Sequence, residues 1–426
     1  MEKIKHIHFI GIGGIGMSAL ARFYLHEGVR VSGSDRAPSD ITRALEKEGV
    51  TFFDSQVASN LSEDIDMVVY TEAMASDHPE LLAAREGGIK TVNYFEALGE
   101  VANQYYLIAV AGAHGKTTTT AMITDILEEA SYDPTAIIGS LRSKTGSNFR
   151  AGKSKYAVVE ACEYKRDFLS LKPDVLVITN IEHEHVDYYK DLLDVQTAFR
   201  TFAEQVDEEG LVIANVSDPN LQYVLNGLDR KVVDYKNFID LSLKLRQPGM
   251  HVRLDAAAAV AAAASVGVEE HIIKTALENF AGTWRRFQYK GEVNNAPVYD
   301  DYAHHPTEIA VTIAGVRELY PDKKLIVVFQ PHTYTRTKEL FNDFVTALSK
   351  ADLVVMVPIY AAREVNLSGV SSEQIIKAVA KNDIKAIHFH TLAAAADYVK
   401  DEADKDSVVV VMGAGEVTNV ASQLVE

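Results

Sequence analysis

The sequence predicts an α/β protein of three domains, each built on a mostly parallel sheet. Three observations predict it. Apolar, β-branched runs alternate with helix-length amphipathic segments along almost the whole chain. Two glycine-rich loops, at residues 11–16 and 112–115, each follow such a run and open a helical segment. The chain of 426 residues also exceeds what one hydrophobic core serves, and at about 100–200 residues per domain it suits two to four units. If each glycine loop starts its own nucleotide-binding unit, boundaries near 104 and 282 follow, dividing the chain into 1–104, 105–282 and 283–426.

The strongest strand signals lie at residues 6–10, 67–70, 107–111, 175–179, 325–329, 353–357 and 408–412, and several end in glycine or a polar residue. The last domain starts after Gly282-Thr283-Trp284-Arg285-Arg286 and is predicted to hold three strand-then-helix passages. The most apolar helical stretch, 256–268, is mostly alanine and falls short of the ~20 residues that span a bilayer, so it reads as a buried helix. No short-period repeat interrupts the pattern.

Sixty acidic against 42 basic side chains leave a formal charge of -18, which repels a phosphate backbone and excludes nucleic acid and anionic membrane as expected partners. The single cysteine, Cys162, rules out an internal disulfide framework and fits a reducing compartment. Met1-Glu2-Lys3-Ile4-Lys5-His6 runs straight into a glycine turn and does not read as a signal peptide. A cytoplasmic protein, monomeric or weakly dimeric, is the expectation.

In the first glycine loop, Gly11, Gly13 and Gly16 keep the G-x-G-x-x-G spacing, with Gly14, Met17 and Ser18 leading into the helix. Missing side chains let a diphosphate approach the helix N-terminus. Asp35, about 20 residues on, stands where a carboxylate accepts from a ribose hydroxyl. The pattern makes the domain Rossmann-like but reads a diphosphate, not its owner, so NAD and a UDP-sugar both fit.

The second loop, Gly112-Ala113-His114-Gly115-Lys116-Thr117-Thr118, resembles a phosphate loop shortened by two residues and makes the central domain P-loop ATPase-like, with a parallel or mixed sheet. Backbone N–H groups would cradle ATP phosphates, Lys116 would neutralise their oxygens, and the Thr117 hydroxyl would hold magnesium. Downstream, Glu160 to Glu163 and Thr179-Asn180-Ile181-Glu182-His183-Glu184-His185 end or follow strands at the carboxyl edge, where ligands sit in such sheets. Glu160 and His185 are candidates for a second magnesium. For residues 182–185 zinc is a rival, but no third or fourth well-spaced His or Cys ligand lies nearby in sequence.

Taken in order, both loops, Glu160 to Glu163, Thr179 to Glu182 with His185, Arg285-Arg286-Phe287, Asp300-Asp301-Tyr302-Ala303-His304-His305-Pro306-Thr307-Glu308 and Phe329-Gln330-Pro331-His332 make the chain resemble the Mur ligases of peptidoglycan synthesis, most closely their alanine-adding branch. The resemblance implies that 1–104 binds the UDP end of UDP-N-acetylmuramate rather than NAD, that 105–282 binds ATP, and that 283–426 is a Rossmann-like domain for the amino acid. It implies that ATP converts the lactyl carboxylate to an acyl phosphate, which the amine of L-alanine attacks. Thr117 and Glu160 would hold one of two magnesium ions and His185 would help hold the other. Lys116, Arg286 and Asp301 would serve phosphoryl transfer, with His304, His305 and His332 on the alanine side.

Two stretches depart from the family. Where its His-Asn-x-x-Asn element helps hold the nucleotide, this chain reads His251-Val252-Arg253-Leu254-Asp255, and the segment between 233 and 248 is short, which implies a trimmed central domain. Thr333 replaces an arginine of the family pattern, and Arg336 is the nearest substitute. The rival readings are a ligase that recycles a tripeptide onto UDP-N-acetylmuramate and a catalytically weakened sensor of the UDP-sugar or ATP.

Overall fold

The computed structural model describes residues 4–426 except 73, 187 and 363, so the first three residues, read above against a leader sequence, lie outside the described set. Three sheets form, and they fall into two compact units: one runs to residue 243 and takes in 255–280, the other comprises 244–254 and 281–426. Among the described residues no helix is long and apolar enough to cross a membrane.

The first unit begins with a five-stranded parallel sheet in the order Thr51–Phe53, Arg30–Ser34, His6–Ile10, Met67–Tyr70, Lys90–Asn93. All five residues of His6–Ile10 are buried, as a central strand covered on both faces requires. The chain leaves this strand at Gly11 and enters the helix Ile15–His26, so the first glycine loop lies at the carboxyl edge. Its start is pinned sideways, because the Gly11 and Ile12 N–H groups both donate to the Ser34 carbonyl, at 2.8 and 3.0 Å.

The second sheet of this unit has seven strands: Lys231–Asp234, Leu211–Ala214, Val175–Ile178, Tyr106–Ala111, Tyr156–Glu160, Thr135–Arg142 and Ser147–Arg150. Only the last pair is antiparallel, so the sheet is mixed at one edge. Tyr106–Ala111 sits between Val175–Ile178 and Tyr156–Glu160, and all three run the same way. Residues 112–115, 161–163 and 179–185 therefore emerge side by side. Only the short turn Tyr235–Phe238 and irregular chain separate Lys231–Asp234 from the helix Met250–Ser265, in keeping with a trimmed domain. That helix contains the expected alanine-rich stretch up to Ser265, with residues 256–259 and 261–263 all buried, while 266–268 lie beyond its end.

In the second unit, six strands run in the order Gln288–Val293, Ala296–Asp301, Ser407–Met412, Lys324–Phe329, Leu353–Met356, Lys385–His388, with the first pair antiparallel. Five strands here lead into helices rather than the three expected. The two missed, Ala296–Asp301 and Lys385–His388, carry short apolar content: one ends in paired aspartates and the other is an edge strand with no buried residue.

Inside the first unit, the antiparallel edge hairpin grips the helix of the first glycine loop. Asn148 is fully buried; its Nδ2 donates to the Ile15 carbonyl at 2.5 Å and to Ser18 Oγ at 3.0 Å, and its Oδ1 accepts from Arg22 at 2.7 Å. Arg22 in turn meets the Glu48 carboxylate at 2.8 Å. Truncating the amide strands several of these groups. Asn148→Ala is expected to lower stability by about 2–3 kcal/mol, read from the urea midpoint, because each unsatisfied buried polar group costs about 1–3 kcal/mol. A loss below about 0.5 kcal/mol, the level of an ordinary surface change, would show that water takes the amide's place.

Candidate functional site

The phosphate loop is held by the neighbouring strand end. Thr179 Oγ1 and Asn180 Nδ2 donate to the His114 carbonyl at 2.6 and 3.0 Å, while Asn180 Oδ1 accepts from the His114 N–H at 2.9 Å. The Ala113 N–H donates to the Asn180 carbonyl at 3.1 Å, and the buried Tyr235 hydroxyl anchors the Thr179 carbonyl at 2.6 Å. Gly115 caps the helix Lys116–Glu129 at φ 82°, in the left-handed region open to glycine, and the Asp255 carboxylate packs where a side chain would stand. The helix therefore starts at Lys116, earlier than the apolar run from 121 suggests. Its first-turn N–H groups and dipole make an anion site, with Thr117 and Thr118 buried in that turn.

Lys116 reaches Glu163 at 2.9 Å and also donates to the Gly112 and Ala113 carbonyls, the latter at 3.1 Å. Burial opposes charge on both partners, yet each holds the other ionised: Glu163 pulls the Lys116 pKa upward, and Lys116 with His185 brings the Glu163 carboxyl down to about 2. His185 Nε2 lies 3.2 Å from Glu163 Oε1. One donor atom each from Glu163, Glu184 and His185 lies within 4.8 Å of the others. Glu163 thus joins the 182–185 stretch from a different strand end. The Tyr189 hydroxyl donates to the Glu163 carbonyl at 2.5 Å, and Tyr164 packs 4.8 Å from the His185 ring. Lys165, Arg166 and His185 all have positive φ, of 54, 65 and 53°, a concentration of backbone strain around Glu163.

On the other side of the loop, the Thr117 hydroxyl donates to Glu160 Oε1 at 2.9 Å, and the Gly139 N–H donates to Glu160 Oε2 at 2.7 Å. A Cβ on Gly139 would stand 2.5 Å from both carboxylate oxygens, so glycine is required for this approach. Thr117 and Glu160 thus meet, the two residues that the family resemblance puts together, while Gly139, Glu163 and Glu184 join them without having been singled out. Glu163 and Glu184 sit inside recognisable strand-end motifs; Gly139 is one glycine in a strand and carries no local signal.

At the first loop, Asp35 Oδ2 accepts from the Gly13 N–H at 2.8 Å and Oδ1 from the Arg36 N–H at 2.7 Å, so the carboxylate stiffens the loop itself. Gly16 lies against the Tyr94 ring, Met17 is buried, and Ser18 Oγ donates to the Ile15 carbonyl at 2.9 Å. Gly11 and Gly14 complete the turn, the Gly14 N–H donating to the Gly11 carbonyl at 3.2 Å.

The remaining sequence-predicted residues belong to the second unit. Asp301 is buried, accepts from the Phe287 and Ala303 N–H groups at 2.8 and 2.7 Å, and has its pKa raised to about 6 by burial against the opposing pull of Arg286. The Arg286 guanidinium lies 5.3 Å over the Tyr302 ring and 3.7 Å from Glu308. Glu308 Oε2 accepts from the backbone N–H groups of His304 and His305 at 2.9 and 3.2 Å. The His304 and His332 rings stand 5.7 Å apart, His332 stacks on Tyr360, and Arg336 Nη1 comes within 3.4 Å of His332 Nδ1. Burial, then His304 and Arg336, lower the His332 pKa to about 4. Thr333 holds φ 63° and caps the helix Tyr334–Glu339.

Because Asp301 titrates higher folded than unfolded, its charge destabilises the fold: the penalty is absent below the unfolded pKa of 3.8, grows to about pH 6 and is complete above it. Asp301→Asn should flatten the stability–pH curve by up to about 3 kcal/mol between pH 4 and 8. Superimposable wild-type and variant curves from denaturant melts would contradict this.

The chain matches the Mur ligase family, catalytic domain, over residues 6–106, the Mur ligase middle domain over 110–244, and the Mur ligase, glutamate ligase domain over 285–415. It is 40% identical over 453 aligned positions to the UDP-N-acetylmuramate–L-alanine ligase of Agathobacter rectalis, covering 100% of this chain and 98% of the relative. Identity to the enzyme of that name from Clostridium novyi is 39%, with 100% and 98% coverage. The first alignment is longer than the 426-residue chain, so that relative carries segments this one lacks. In fold, the chain is similar to the crystal structure of UDP-N-acetylmuramate–alanine ligase from Thermotoga maritima, with a TM-score of 0.83, 27% identity and coverage of 99% and 98%. A murein peptide ligase from Psychrobacter arcticus shares the fold at TM-score 0.72 and 24% identity, over 99% and 98% of the two chains. With three family domains matched in order along nearly its whole length, this chain belongs to the Mur ligase family.

Proposed function

We propose that this chain joins the amine of L-alanine to the lactyl carboxylate of UDP-N-acetylmuramate with conversion of ATP to ADP and phosphate, a cytoplasmic step of peptidoglycan synthesis. The observation that carries the reading is the set of groups meeting at the phosphate loop: Lys116 paired with Glu163, and Thr117 paired with Glu160. The full-length similarity to alanine ligases supports the choice of substrates. A carboxylate is a poor electrophile until one oxygen becomes a leaving group. Its oxygen attacks the terminal phosphorus of ATP and ADP departs; the amine then attacks the carbonyl carbon, and the C–O bond to phosphate breaks.

The donor set fits magnesium. Thr117, Glu160, Glu163 and Glu184 offer hard oxygens, and Glu184 Oε1 is a buried atom with no hydrogen-bond partner among the described residues, a group that favours a cation. His185 stands beside them and orients Glu163. Magnesium bound there would neutralise charge on the transferring phosphoryl group. The chain's own part is to hold the phosphates on the loop N–H groups, to set the Lys116 ammonium against their oxygens, and to keep Glu160 fixed through Gly139. The roles of Arg286 and Asp301 in transfer, of His304, His305, His332 and Arg336 towards alanine, and of Gly11, Gly13, Gly14, Gly16, Met17, Ser18 and Asp35 towards the UDP-sugar belong to the same proposal. So do the domain division at 104 and 282 and a monomeric or weakly dimeric assembly.

Phosphate release with ATP, magnesium and UDP-N-acetylmuramate should require L-alanine; release only with the tripeptide would assign the chain to recycling, and no release with either acceptor would favour a sensor. Lys116→Ala should cut turnover by about 100–1000-fold or more while UDP-sugar binding, followed calorimetrically, stays intact. Gly139→Ala should lower kcat by about 10–100-fold by displacing Glu160, again without loss of UDP-sugar affinity; unchanged kcat would remove Glu160 from the metal set.

A further inference from the structure

The strand Lys385–His388 is the edge of the six-stranded sheet, parallel to Leu353–Met356, with His388 opposite Met356. The pairing continues one residue further, since the Phe389 N–H donates to the Met356 carbonyl at 2.9 Å. Extended chain alternates its side chains, so His388 and His390 share a side while Phe389 turns to the other. There Phe389 packs against the core and lies 5.1 Å from the Tyr398 ring. The His388 and His390 rings stand 5.1 Å apart. Facing them is the first turn of the helix Ser372–Ala380, which supplies Glu373, whose Oε1 is 3.7 Å from His388 Nδ1.

We propose that Glu373, His388 and His390 form a second divalent-metal site, separate from the phosphate loop and suited to zinc. One donor atom from each lies within 4.8 Å of the other two. Zinc bonds of about 2.0–2.1 Å in a tetrahedron put neighbouring ligands about 3.3 Å apart, so small side-chain rotations close the set. Two imidazoles and one carboxylate match the borderline softness of zinc, whereas magnesium takes oxygen. The ring of His388 is already oriented: Nε2 lies 2.9 Å from Ser372 Oγ, and donation to that hydroxyl leaves the Nδ1 lone pair facing Glu373. A hydrogen bond from the far nitrogen is the usual support of a metal-bound histidine. Three protein ligands leave the fourth position to water, and the bound ion would tie the edge strand to the helix that packs beside it.

The test uses the whole protein, stripped of metal and held in excess magnesium, titrated with zinc alone against a chromophoric chelator. One equivalent is expected for wild type and loss of that equivalent in both His388→Gln and His390→Gln. His390 is exposed, so its variant should fold normally, which circular dichroism checks. His271→Gln, at an exposed His–Glu pair elsewhere, and His185→Gln, beside the phosphate loop, should both keep the equivalent. Cobalt should give tetrahedral visible bands with wild type but not with His390→Gln, and zinc should raise Tm of wild type but not of His390→Gln. No zinc bound by wild type, an equivalent that survives both His388→Gln and His390→Gln, or one lost with His185 would each overturn the proposal.

Discussion

The buried pair between Lys116 and Glu163 is the constraint around which the first unit is arranged. Two charges withdrawn from water are costly, and their attraction offsets that only when geometry is fixed and remaining donors and acceptors are satisfied. Each requirement has a structural answer here. Lys116 spends its other donors on the Gly112 and Ala113 carbonyls, and Glu163 takes His185 at 3.2 Å. The backbone of Glu163 is clamped by Tyr189, and the loop that carries Lys116 is clamped by Thr179 and Asn180. A lysine held in this way stays charged and aimed into the loop, as neutralising a phosphate requires.

Strand order makes this economical in sequence. Tyr106–Ala111 lies between Tyr156–Glu160 and Val175–Ile178, so three loops from distant parts of the chain leave the same edge together. One brings Lys116 and Thr117, one Glu160 and Glu163, one Glu184 and His185. Parallel strands buried on both faces give that edge a rigid base, and the residues that emerge from it can tolerate strain, as the positive φ of Lys165, Arg166 and His185 shows. At the far edge of the same sheet, Asn148 locks the hairpin onto the helix of the first glycine loop, so the helices that follow both glycine loops are tied to one framework.

Much of this was legible in the sequence where the physics is local. Strands with unbroken apolar runs, such as His6–Ile10 and Met67–Tyr70, and both glycine loops stand where periodicity and turn chemistry place them. Ala296–Asp301 and Lys385–His388 were missed because an edge strand and a strand ending in charge lack the long apolar run that marks a buried one. Thr117 and Glu160 meet, a pairing that only the family resemblance suggested, since the strand-end motifs by themselves put Glu160 with His185. Gly139 and Asn148 did not announce themselves: a glycine required by a carboxylate from another strand, and an asparagine satisfied by another helix, are tertiary facts. Glu163 stood in view within a motif, but only the fold turns it toward Lys116.

On the proposed reading, the site uses its charges to transfer a phosphoryl group to a carboxylate and so make the carbonyl carbon attackable. The most direct measurement uses UDP-N-acetylmuramate labelled with oxygen-18 in the lactyl carboxylate, followed by mass analysis of the phosphate released as alanine is joined. Passage through an acyl phosphate moves one labelled oxygen into each phosphate formed; unlabelled phosphate accompanying amide formation would contradict the account.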